Sequence, residues 1–558
     1  MSLLDISELT LDLPNGTRLL DGISLTVEAG ETVGLVGESG SGKSLTARTV
    51  LGLTPDRARL GGRVVLDGRE VIGASAAGIL DLRRHAASMI FQDPRAGINP
   101  MRTLGDHMTE TLRLCEGRSK ADATARAVEL LASVQLPRPE EHLKQYPHEF
   151  SGGMLQRVMI AGALTSSPKL LICDEPTTAL DVTTQAEIIR VLIEQRSSRG
   201  MGMLFITHDL NLAASICDRV VVMSAGRVEE TGDARRVFSA PVAEYTKRLV
   251  AATPTIEAPS AEPSTGEAGG APASAFAVGR ETGSVTPGSV EPMLAADGIS
   301  KTYHLRGKTE VNAVVDASIS IPRGGALGVV GESGSGKSTL ARMIVGLEQA
   351  DRGDIRIAGR ERTAVPHGRE ARLAHARSVQ MVFQDPYLSL DPRITAGRSI
   401  EDALRLHAKL STTDARARVL ALLEQVGLGE KHAQARPRTL SGGQRQRVAI
   451  ARALAIDPDV LVMDEATSAL DVSVQAQVLD VLAEIRRERG LTVLFISHDL
   501  AVVRRVCEET VVMRRGRIVE RGRTAELLAA PEHPYTQLLI DSVPRPARGP
   551  EPVARKSA

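Results

Sequence analysis

Apolar and polar positions along the chain follow two recurring patterns. Short runs of β-branched and other apolar residues, such as Thr32 to Val36 and Leu491 to Ile496, are typical of buried strands. Stretches with apolar residues at helical spacing, such as Ala121 to Val134 and Val474 to Arg489, alternate with these runs. Because alternating strands and helices form sheets covered by helices, the pattern predicts an α/β fold with a largely parallel sheet.

The same order of short segments occurs twice. VGESGSGKS stands at Val36 to Ser44 and again at Val330 to Ser338. Four further pairs follow in the same order, namely FQDP at Phe91 and Phe383, SGG at Ser151 and Ser441, DE at Asp174 and Asp464, and HDL at His208 and His498. Repetition on this scale indicates a tandem duplication of one domain.

The two copies are separated by a segment of different composition. Residues 254–292 are rich in Pro, Gly, Ser, Ala and Glu and lack helical or strand periodicity, which predicts a flexible linker. The sequence therefore divides into a first domain at residues 1–253, the linker at 254–292, a second domain at 293–544 and a tail at 545–558 that we expect to be disordered. A linker of this length lets the two domains meet in any orientation.

The amino-acid composition excludes several classes of function. The chain of 558 residues is 42% apolar, and its 68 Lys and Arg residues equal its 68 Asp and Glu residues in number. Because the chain has no net positive charge that would attract nucleic acid, we expect no nucleic-acid partner. Cys115, Cys173, Cys217 and Cys507 lie far apart, which excludes CxxC metal spacing and fits a reducing cytosol. No run approaches the ~18 consecutive apolar residues that a membrane-spanning helix needs, and no signal peptide is predicted. Any function in a membrane would therefore need partner subunits.

Each copy contains the pattern GxxxxGK[ST] between a strand-like run and a helical pattern, as a P-loop requires. The glycines let successive backbone N–H groups point at phosphate oxygens. Lys43 and Lys337 would neutralise phosphate charge, and Ser44 and Ser338 would ligate Mg²⁺. One match alone could be chance, but two in matching context predict ATP binding. The candidate residues are Gly37, Glu38, Ser39, Gly40, Ser41, Gly42, Lys43 and Ser44, and Gly331, Glu332, Ser333, Gly334, Ser335, Gly336, Lys337 and Ser338.

An apolar run ends in two carboxylates in each copy, at Asp174-Glu175 and at Asp464-Glu465. The aspartate can hold Mg²⁺ through water, and the adjacent glutamate can polarise the water that attacks the γ-phosphate. Such a run alone would more often be a strand that meets solvent. Its position after a P-loop instead predicts a Walker B motif.

A segment of small residues leads into a helical stretch in each copy. Small residues at a helix N-terminus can form an anion site, although one such segment could equally be a helix cap. The candidate residues are Ser151, Gly152 and Gly153 in the first copy and Ser441, Gly442, Gly443 and Gln444 in the second, where the first copy has Met154 in place of the glutamine.

The ordered set of P-loop, FQDP glutamine, SGG, DE, ALD and HD resembles the nucleotide-binding domain of the ATP-binding cassette (ABC) family over both halves of the chain. The resemblance implies two tandem P-loop NTPase domains, each with a helical subdomain, that hydrolyse ATP with Mg²⁺. It also implies that Gln92 and Gln384 are Q-loop residues, which sense Mg²⁺ and touch membrane subunits. His208 and His498 would be switch histidines near the γ-phosphate. Asp181 and Asp471 would be D-loop residues.

The same family pairs its domains head to tail, so that the P-loop of one domain and the SGG segment of the other enclose each ATP. In a chain with both domains fused, the resemblance implies an intramolecular dimer with two composite sites. One would join residues 37–44, Asp174, Glu175 and His208 to residues 441–444. The other would join residues 331–338, Asp464, Glu465 and His498 to residues 151–154.

An aromatic residue after the first strand stacks on adenine in this family. Tyr303 occupies that place in the second copy, whereas the equivalent residue in the first copy is Leu13. The resemblance therefore predicts weaker ATP binding at the first P-loop.

Further segments resemble the oligopeptide, dipeptide and nickel importer branch. They are QDPRAGINP at 92–100, QDPYLSLDP at 384–392, PVAEYTKRLVAATP at 241–254 and PEHPYTQLLIDSVP at 531–544. Fused members of the branch resemble glutathione-type and microcin-type peptide importers. The resemblance implies two transmembrane permease subunits, an extracytoplasmic substrate-binding protein, and a peripheral position on the cytoplasmic face of the cell (inner) membrane.

Two alternatives remain at this point. Soluble tandem ABC proteins that act on ribosomes or DNA also lack membrane spans, but they join their cassettes by a charged helical arm or carry CxxC pairs, and this chain has neither. An exporter ATPase is disfavoured by the HPYT segment. The transported substrate, whether a peptide, glutathione or nickel, does not follow from this chain.

Overall fold

The computed structural model describes residues 2–178, 180–256, 291–304, 310–362, 366–385, 389–468 and 470–545. Nearly all of the predicted linker and tail lie outside these ranges. The chain forms two compact units, one that contains Met1–Thr253 and the described residues 542–545, and one within Pro254–Asp541. Within the described ranges, no helix has the length and apolar character needed to cross a membrane.

The first unit alternates strands and helices. Its strands are β1 (Leu4–Asp12), β2 (Arg18–Val27), β3 (Thr32–Val36), β4 (Arg59–Leu66), β5 (Arg69–Glu70), β6 (Ala87–Ile90), β7 (Leu170–Asp174), β8 (Gly202–Thr207), β9 (Arg219–Ser224) and β10 (Arg227–Asp233). Its helices are α1 (Lys43–Val50), α2 (Ala76–His85), α3 (Pro94–Gly97), α4 (Leu104–Leu114), α5 (Lys120–Ser133), α6 (Pro139–His142), α7 (Gly152–Ala163), α8 (Val182–Arg199), α9 (Leu210–Ile216), α10 (Ala234–Ser239) and α11 (Glu244–Ala252).

Two sheets organise this unit. Six strands pair in the order β10-β9-β3-β8-β7-β6, with β9 to β6 parallel and β10 antiparallel, which confirms the predicted parallel core. A second, antiparallel sheet has the order β2-β1-β4-β5 and was not predicted.

The central strands are buried on both faces, as expected for parallel strands that are covered on each side. Alternate residues of β7 point to opposite faces. Leu171 and Cys173 pack in a cluster with residues of α5, α7 and α8. Leu170 and Ile172 pack in a separate cluster with residues of the antiparallel sheet and α1. The six-stranded sheet therefore lies between a helical layer and the smaller sheet.

The second unit repeats this order. Its strands are β11 (Leu294–Tyr303), β12 (Val311–Ile321), β13 (Ala326–Val330), β14 (Arg352–Ile357), β15 (Arg360–Glu361), β16 (Val379–Val382), β17 (Val460–Asp464), β18 (Thr492–Ile496), β19 (Glu509–Arg514) and β20 (Arg517–Arg523). Its helices are α12 (Lys337–Val345), α13 (Arg369–Ser378), α14 (Ala396–His407), α15 (Thr412–Gln425), α16 (Glu430–Ala433), α17 (Gly442–Leu454), α18 (Val472–Arg489), α19 (Leu500–Val506), α20 (Thr524–Ala529) and α21 (Pro534–Asp541). The sheets have the orders β16-β17-β18-β13-β19-β20 and β12-β11-β14-β15.

A run of helices separates the sixth and seventh strands of each unit. Helices α4 to α7 lie between β6 and β7, and α14 to α17 lie between β16 and β17. This placement agrees with the helical subdomain that the family resemblance implies.

The four cysteines are free thiols, as their spacing suggested. Cys115 is exposed at the end of α4. Cys173, Cys217 and Cys507 are buried, and burial raises the pKa of each of these thiols. The buried thiols therefore stay protonated and pack as small apolar groups.

Candidate nucleotide-binding sites

The P-loop of each unit connects a central strand to the helix that follows it. Gly37 follows β3 with φ +147°, and a Cβ at this position would lie 2.1 Å from the Met223 carbonyl oxygen. Gly331 follows β13 with φ +149°, and a Cβ there would lie 2.2 Å from the Met513 carbonyl oxygen. Only glycine fits this position, because both the backbone angle and the close carbonyl exclude a side chain.

The P-loop lysines lie inside the loops that precede them. Lys43 is 5% exposed, and its Nζ donates to the carbonyl oxygens of Gly37 and Glu38, both at 2.8 Å. Lys337 is 4% exposed, and its Nζ donates to the carbonyl oxygens of residues 331 and 332, both at 2.8 Å. Each loop therefore holds a positive charge at the start of a helix, where phosphate groups bind in P-loop proteins.

A serine and an aspartate meet beside each lysine. Ser44 Oγ donates to Asp174 Oδ1 at 2.6 Å, and Ser338 Oγ donates to Asp464 Oδ1 at 3.1 Å. Burial raises the pKa of both aspartates, although the serine hydroxyls oppose this change.

These oxygens fit a magnesium ion. Hydroxyl and carboxylate oxygens are the ligands that Mg²⁺ prefers. Asp174 Oδ2 is also buried without a hydrogen bond from any described residue, and the Arg48 guanidinium lies 3.6 Å from it. A hydrated cation would satisfy this oxygen.

The glutamate after β7 is held by three side chains. Glu175 Oε2 accepts from Gln92 Nε2 at 2.9 Å and from Thr178 Oγ1 at 3.0 Å, and His208 Nδ1 lies 3.4 Å away. Burial alone would raise the pKa of Glu175, but the contacts with His208, Thr178 and Lys43 together outweigh burial and lower the pKa. The carboxylate is therefore ionised and can polarise an attacking water.

The second unit repeats this arrangement. Glu465 Oε2 accepts from Gln384 Nε2 at 3.0 Å and lies 3.6 Å from His498 Nδ1. Lys337 Nζ lies 4.0 Å from the other carboxylate oxygen. Burial alone would raise the pKa of Glu465, but His498 and Lys337 together outweigh burial and lower the pKa. The Ser468 hydroxyl donates to the Glu465 carbonyl and so differs from Thr178, which donates to a carboxylate.

Both glutamates adopt an uncommon backbone conformation. Glu175 has φ +49° and Glu465 has φ +48°, in the left-handed region that a residue with a Cβ rarely adopts. Their N–H groups donate to the Ile206 and Ile496 carbonyl oxygens at 3.0 and 2.9 Å, which holds the strand ends in this geometry. Such local strain is often found at functional sites.

The SGG segments begin the helices α7 and α17. Ser151 Oγ accepts from the Met154 N–H at 3.4 Å, and Ser441 Oγ accepts from the Gln444 N–H at 3.3 Å. Gln444 Oε1 also accepts from the Ser441 N–H at 3.0 Å, which completes a capping box. Met154 cannot accept this bond and packs its side chain against the core.

Asp181 and Asp471 begin the helices α8 and α18. Asp181 accepts hydrogen bonds from the Thr184 N–H at 3.0 Å and the Thr183 hydroxyl at 2.7 Å. The D-loop role of both aspartates depends on a partner domain and stays a prediction.

Tyr303 ends β11 at the position that Leu13 occupies after β1. Its hydroxyl bonds to the Glu348 carboxylate, and Lys301 Nζ lies 6.0 Å from the ring centroid. Leu13 instead packs against the core of the first unit. The proposed adenine contact of Tyr303 stays a prediction.

The sequence did not indicate roles for several residues that contact the site. Thr178 and Arg48 were missed because a lone hydroxyl or arginine near a motif has no distinctive pattern. Tyr245 and Tyr535 lie in segments that were noted for their resemblance alone, and their contacts are described below.

Taken together, each unit brings a P-loop lysine, a serine-aspartate pair and a glutamate held by glutamine and histidine into one site on an α/β core. This arrangement defines the chain as a tandem P-loop ATPase.

Comparison with known proteins agrees with this class. The ABC transporter family model matches residues 20–178 and 314–468, and the model for the oligopeptide/dipeptide transporter C-terminal region matches residues 229–276 and 519–557. Glutathione import ATP-binding protein GsiA from Salmonella paratyphi A and from Escherichia coli K12 are each 42% identical over 94% of this chain and 86% of their own length. A solved structure of a dimeric ATP-binding cassette, MJ0796, in a post-hydrolysis state bound to ADP and Pi is 30% identical to this chain. The match covers 42% of this chain and 99% of the solved chain, with a TM-score of 0.39.

The chain belongs to the ABC transporter family. It is an ATP-binding ATPase with two fused cassettes, and the resemblance inferred from its motifs is confirmed.

Proposed function

We propose that this ATPase energises an importer for a peptide or a related small solute, with glutathione, dipeptides, oligopeptides and nickel as the candidate substrates. The observation that carries the proposal is that each unit holds a glutamate against a glutamine and a histidine beside its P-loop and is followed by an extension of oligopeptide-transporter type. The 42% identity to glutathione import proteins favours glutathione or a peptide of similar size. These relatives give no support to a role on ribosomes or DNA.

Hydrolysis at each site would use residues of this chain in fixed roles. The P-loop N–H groups and Lys43 or Lys337 would bind the β- and γ-phosphates. Ser44 with Asp174, and the equivalent pair in the second unit, would hold Mg²⁺, which supplies positive charge to the phosphates. Glu175 or Glu465 would take the proton of the attacking water, since its carboxylate is ionised.

The two units would pair head to tail. Site one would join residues 37–44, Asp174, Glu175 and His208 to the SGG segment at 441–444. Site two would join residues 331–338, Asp464, Glu465 and His498 to the segment at 151–154. The linker at 254–292 would allow this pairing within one chain.

Two permease subunits and an extracytoplasmic substrate-binding protein would complete the transporter. The chain would then sit on the cytoplasmic face of the inner membrane as a peripheral subunit. Gln92 and Gln384 would transmit contact with the permeases, because each is hydrogen-bonded to the glutamate of its own unit.

Reconstitution tests this function. The chain is coexpressed with candidate permease subunits, purified by a tag on the chain, and placed in proteoliposomes with the substrate-binding protein. We expect copurification of both permeases and ATP-dependent uptake of radiolabelled glutathione or a dipeptide. The matched control is the Lys43→Ala, Lys337→Ala chain, which should copurify without supporting uptake. Copurification with ribosomes and not with permeases would contradict the proposal.

A further inference from the structure

The C-terminal extension of each unit is anchored by one carboxylate. Glu230 of β10 accepts hydrogen bonds from the N–H groups of Val242 and Ala243, both at 3.0 Å. Glu520 of β20 accepts from the N–H groups of residues 532 and 533 at 2.9 and 3.1 Å. These bonds fix the start of α11 and α21, because a carboxylate that accepts two backbone N–H groups holds both in place.

A tyrosine on each anchored helix reaches the P-loop of its own unit. The N–H of Glu332 donates to the Tyr535 hydroxyl oxygen at 2.9 Å. The N–H of Glu38 donates to the Tyr245 hydroxyl oxygen at 3.3 Å. The contact is present in both units, although the first has Ala243-Glu244 where the second has His533-Pro534 before the tyrosine.

The peptide unit that receives this contact also holds the P-loop lysine. The N–H of Glu332 and the carbonyl of Gly331 belong to one planar trans peptide, so they point in opposite directions. The tyrosine hydroxyl accepts from the N–H on one side, and Lys337 Nζ donates to the carbonyl oxygen on the other at 2.8 Å. A rotation of this peptide would break both hydrogen bonds together.

We propose that Tyr535 and Tyr245 are positioning residues through which each extension sets the nucleotide affinity of its own P-loop. Each hydroxyl fixes the orientation of the first peptide of the loop and thereby the place of the lysine ammonium. The inference rests on the proposed role of Lys43 and Lys337 in phosphate binding. This role gives the C-terminal extension a function, since none of the proposed catalytic residues lies in it.

The contact is firmer in the second unit. Tyr535 is 1% exposed, and the Arg514 guanidinium lies 4.6 Å from its ring centroid, within the range of a cation–π interaction. Arg514 ends β19, and the equivalent residue at the end of β9 is Ser224, which carries no charge. Tyr245 is half-buried and its hydrogen bond is longer. The extension of the second unit therefore restrains its P-loop more strongly.

Two full-length parent proteins isolate the effect. Lys43→Ala leaves the second P-loop intact, and Lys337→Ala leaves the first. Tyr535→Phe, which keeps the ring and removes the hydroxyl, is introduced into each parent, and Tyr245→Phe is introduced likewise. Affinity for a fluorescent ATP analogue is measured by titration, and amide hydrogen exchange of the P-loop is measured without nucleotide.

Each tyrosine should act on its own unit. In the Lys43→Ala parent, Tyr535→Phe should weaken nucleotide binding about three- to tenfold, as expected for loss of one hydrogen bond, and accelerate exchange in residues 331–338. Tyr245→Phe should do the same at residues 37–44 in the Lys337→Ala parent, with a smaller change. Unchanged affinity and exchange, or equal weakening at both P-loops by either variant, would overturn the inference. A parent that bound no nucleotide would overturn the P-loop assignment and this inference with it.

Discussion

Gln92 donates a hydrogen bond to the Glu175 carboxylate across 2.9 Å, although the two residues come from different loops of the first unit. Gln384 and Glu465 repeat the bond at 3.0 Å. The glutamate that would activate water is thereby linked to the loop that we propose contacts the permeases. Displacement of that loop would move the bonded glutamate carboxylate directly.

Removing the charge of either glutamate should stop hydrolysis at that site. In the Glu175→Gln, Glu465→Gln double variant, Mg²⁺-dependent ATPase activity should fall by orders of magnitude, and each single variant should lose the share of its own site, because a neutral amide cannot accept the proton of the attacking water. ATP binding should survive, since the P-loop is unchanged. Phosphate release and nucleotide titration check the two outcomes separately. A double variant that hydrolysed ATP at the wild-type rate would refute these roles.

The two P-loops should bind ATP unequally. Tyr303 offers a ring at the proposed adenine position and Leu13 does not, and the missing stacking is worth about 0.5–1.5 kcal/mol, or about two- to tenfold in affinity. The Lys337→Ala protein should therefore bind more weakly than the Lys43→Ala protein. Leu13→Tyr should tighten binding in the Lys337→Ala protein. Equal affinities in the two proteins, or no gain from the added ring, would count against the asymmetry.

Restoring the missing capping bond should stabilise the first unit. Met154→Gln would let a side-chain oxygen accept from the Ser151 N–H, as Gln444 does from Ser441, for a gain of about 0.5–1 kcal/mol. Gln444→Met is the matched control and should destabilise the second unit by a similar amount. Urea denaturation of both variants measures the change. A loss of stability in Met154→Gln would show that packing of the Met154 side chain outweighs the cap.

Acid should loosen the extension of the second unit. Burial alone would raise the pKa of Glu520, but the hydrogen bonds that its carboxylate accepts outweigh burial and lower the pKa below its ordinary 4.5. A lowered folded-state pKa contributes stability above pH 4.5 that is lost as the pH falls through the folded value. The protection of residues 531–541 against hydrogen exchange, measured relative to the intrinsic exchange rate at each pH, should therefore fall on acidification. In Glu520→Gln the protection should be lower already at neutral pH and should change less with pH.

Much of the fold and site could be predicted because the relevant signals are local. The P-loop glycines, the carboxylates after buried strands and the small residues before helices each form a contiguous pattern. The antiparallel sheet was missed for a physical reason. The alternation of apolar residues in β1 shifts register between Ile6 and Leu9, where Glu8 adopts a positive φ of 50°. The strand signal is therefore broken in the middle.

Other features depend on residues far apart in sequence. The Glu332 N–H and the Tyr535 hydroxyl are separated by 203 positions, so no local pattern links them. The left-handed backbone of Glu175 was equally unexpected, because this conformation usually requires glycine. In each case the surrounding fold, and not the residue itself, determines the geometry.

The distribution of thiols makes the natural chain suitable for site-specific labelling. Cys115 is exposed, while burial keeps the other three thiols protonated and unreactive. A maleimide dye or nitroxide would therefore attach at one place without a cysteine-free background. That place follows Leu114, which is 73% exposed at the end of α4 in the helical segment of the first unit. A probe there would report when another protein covers this surface.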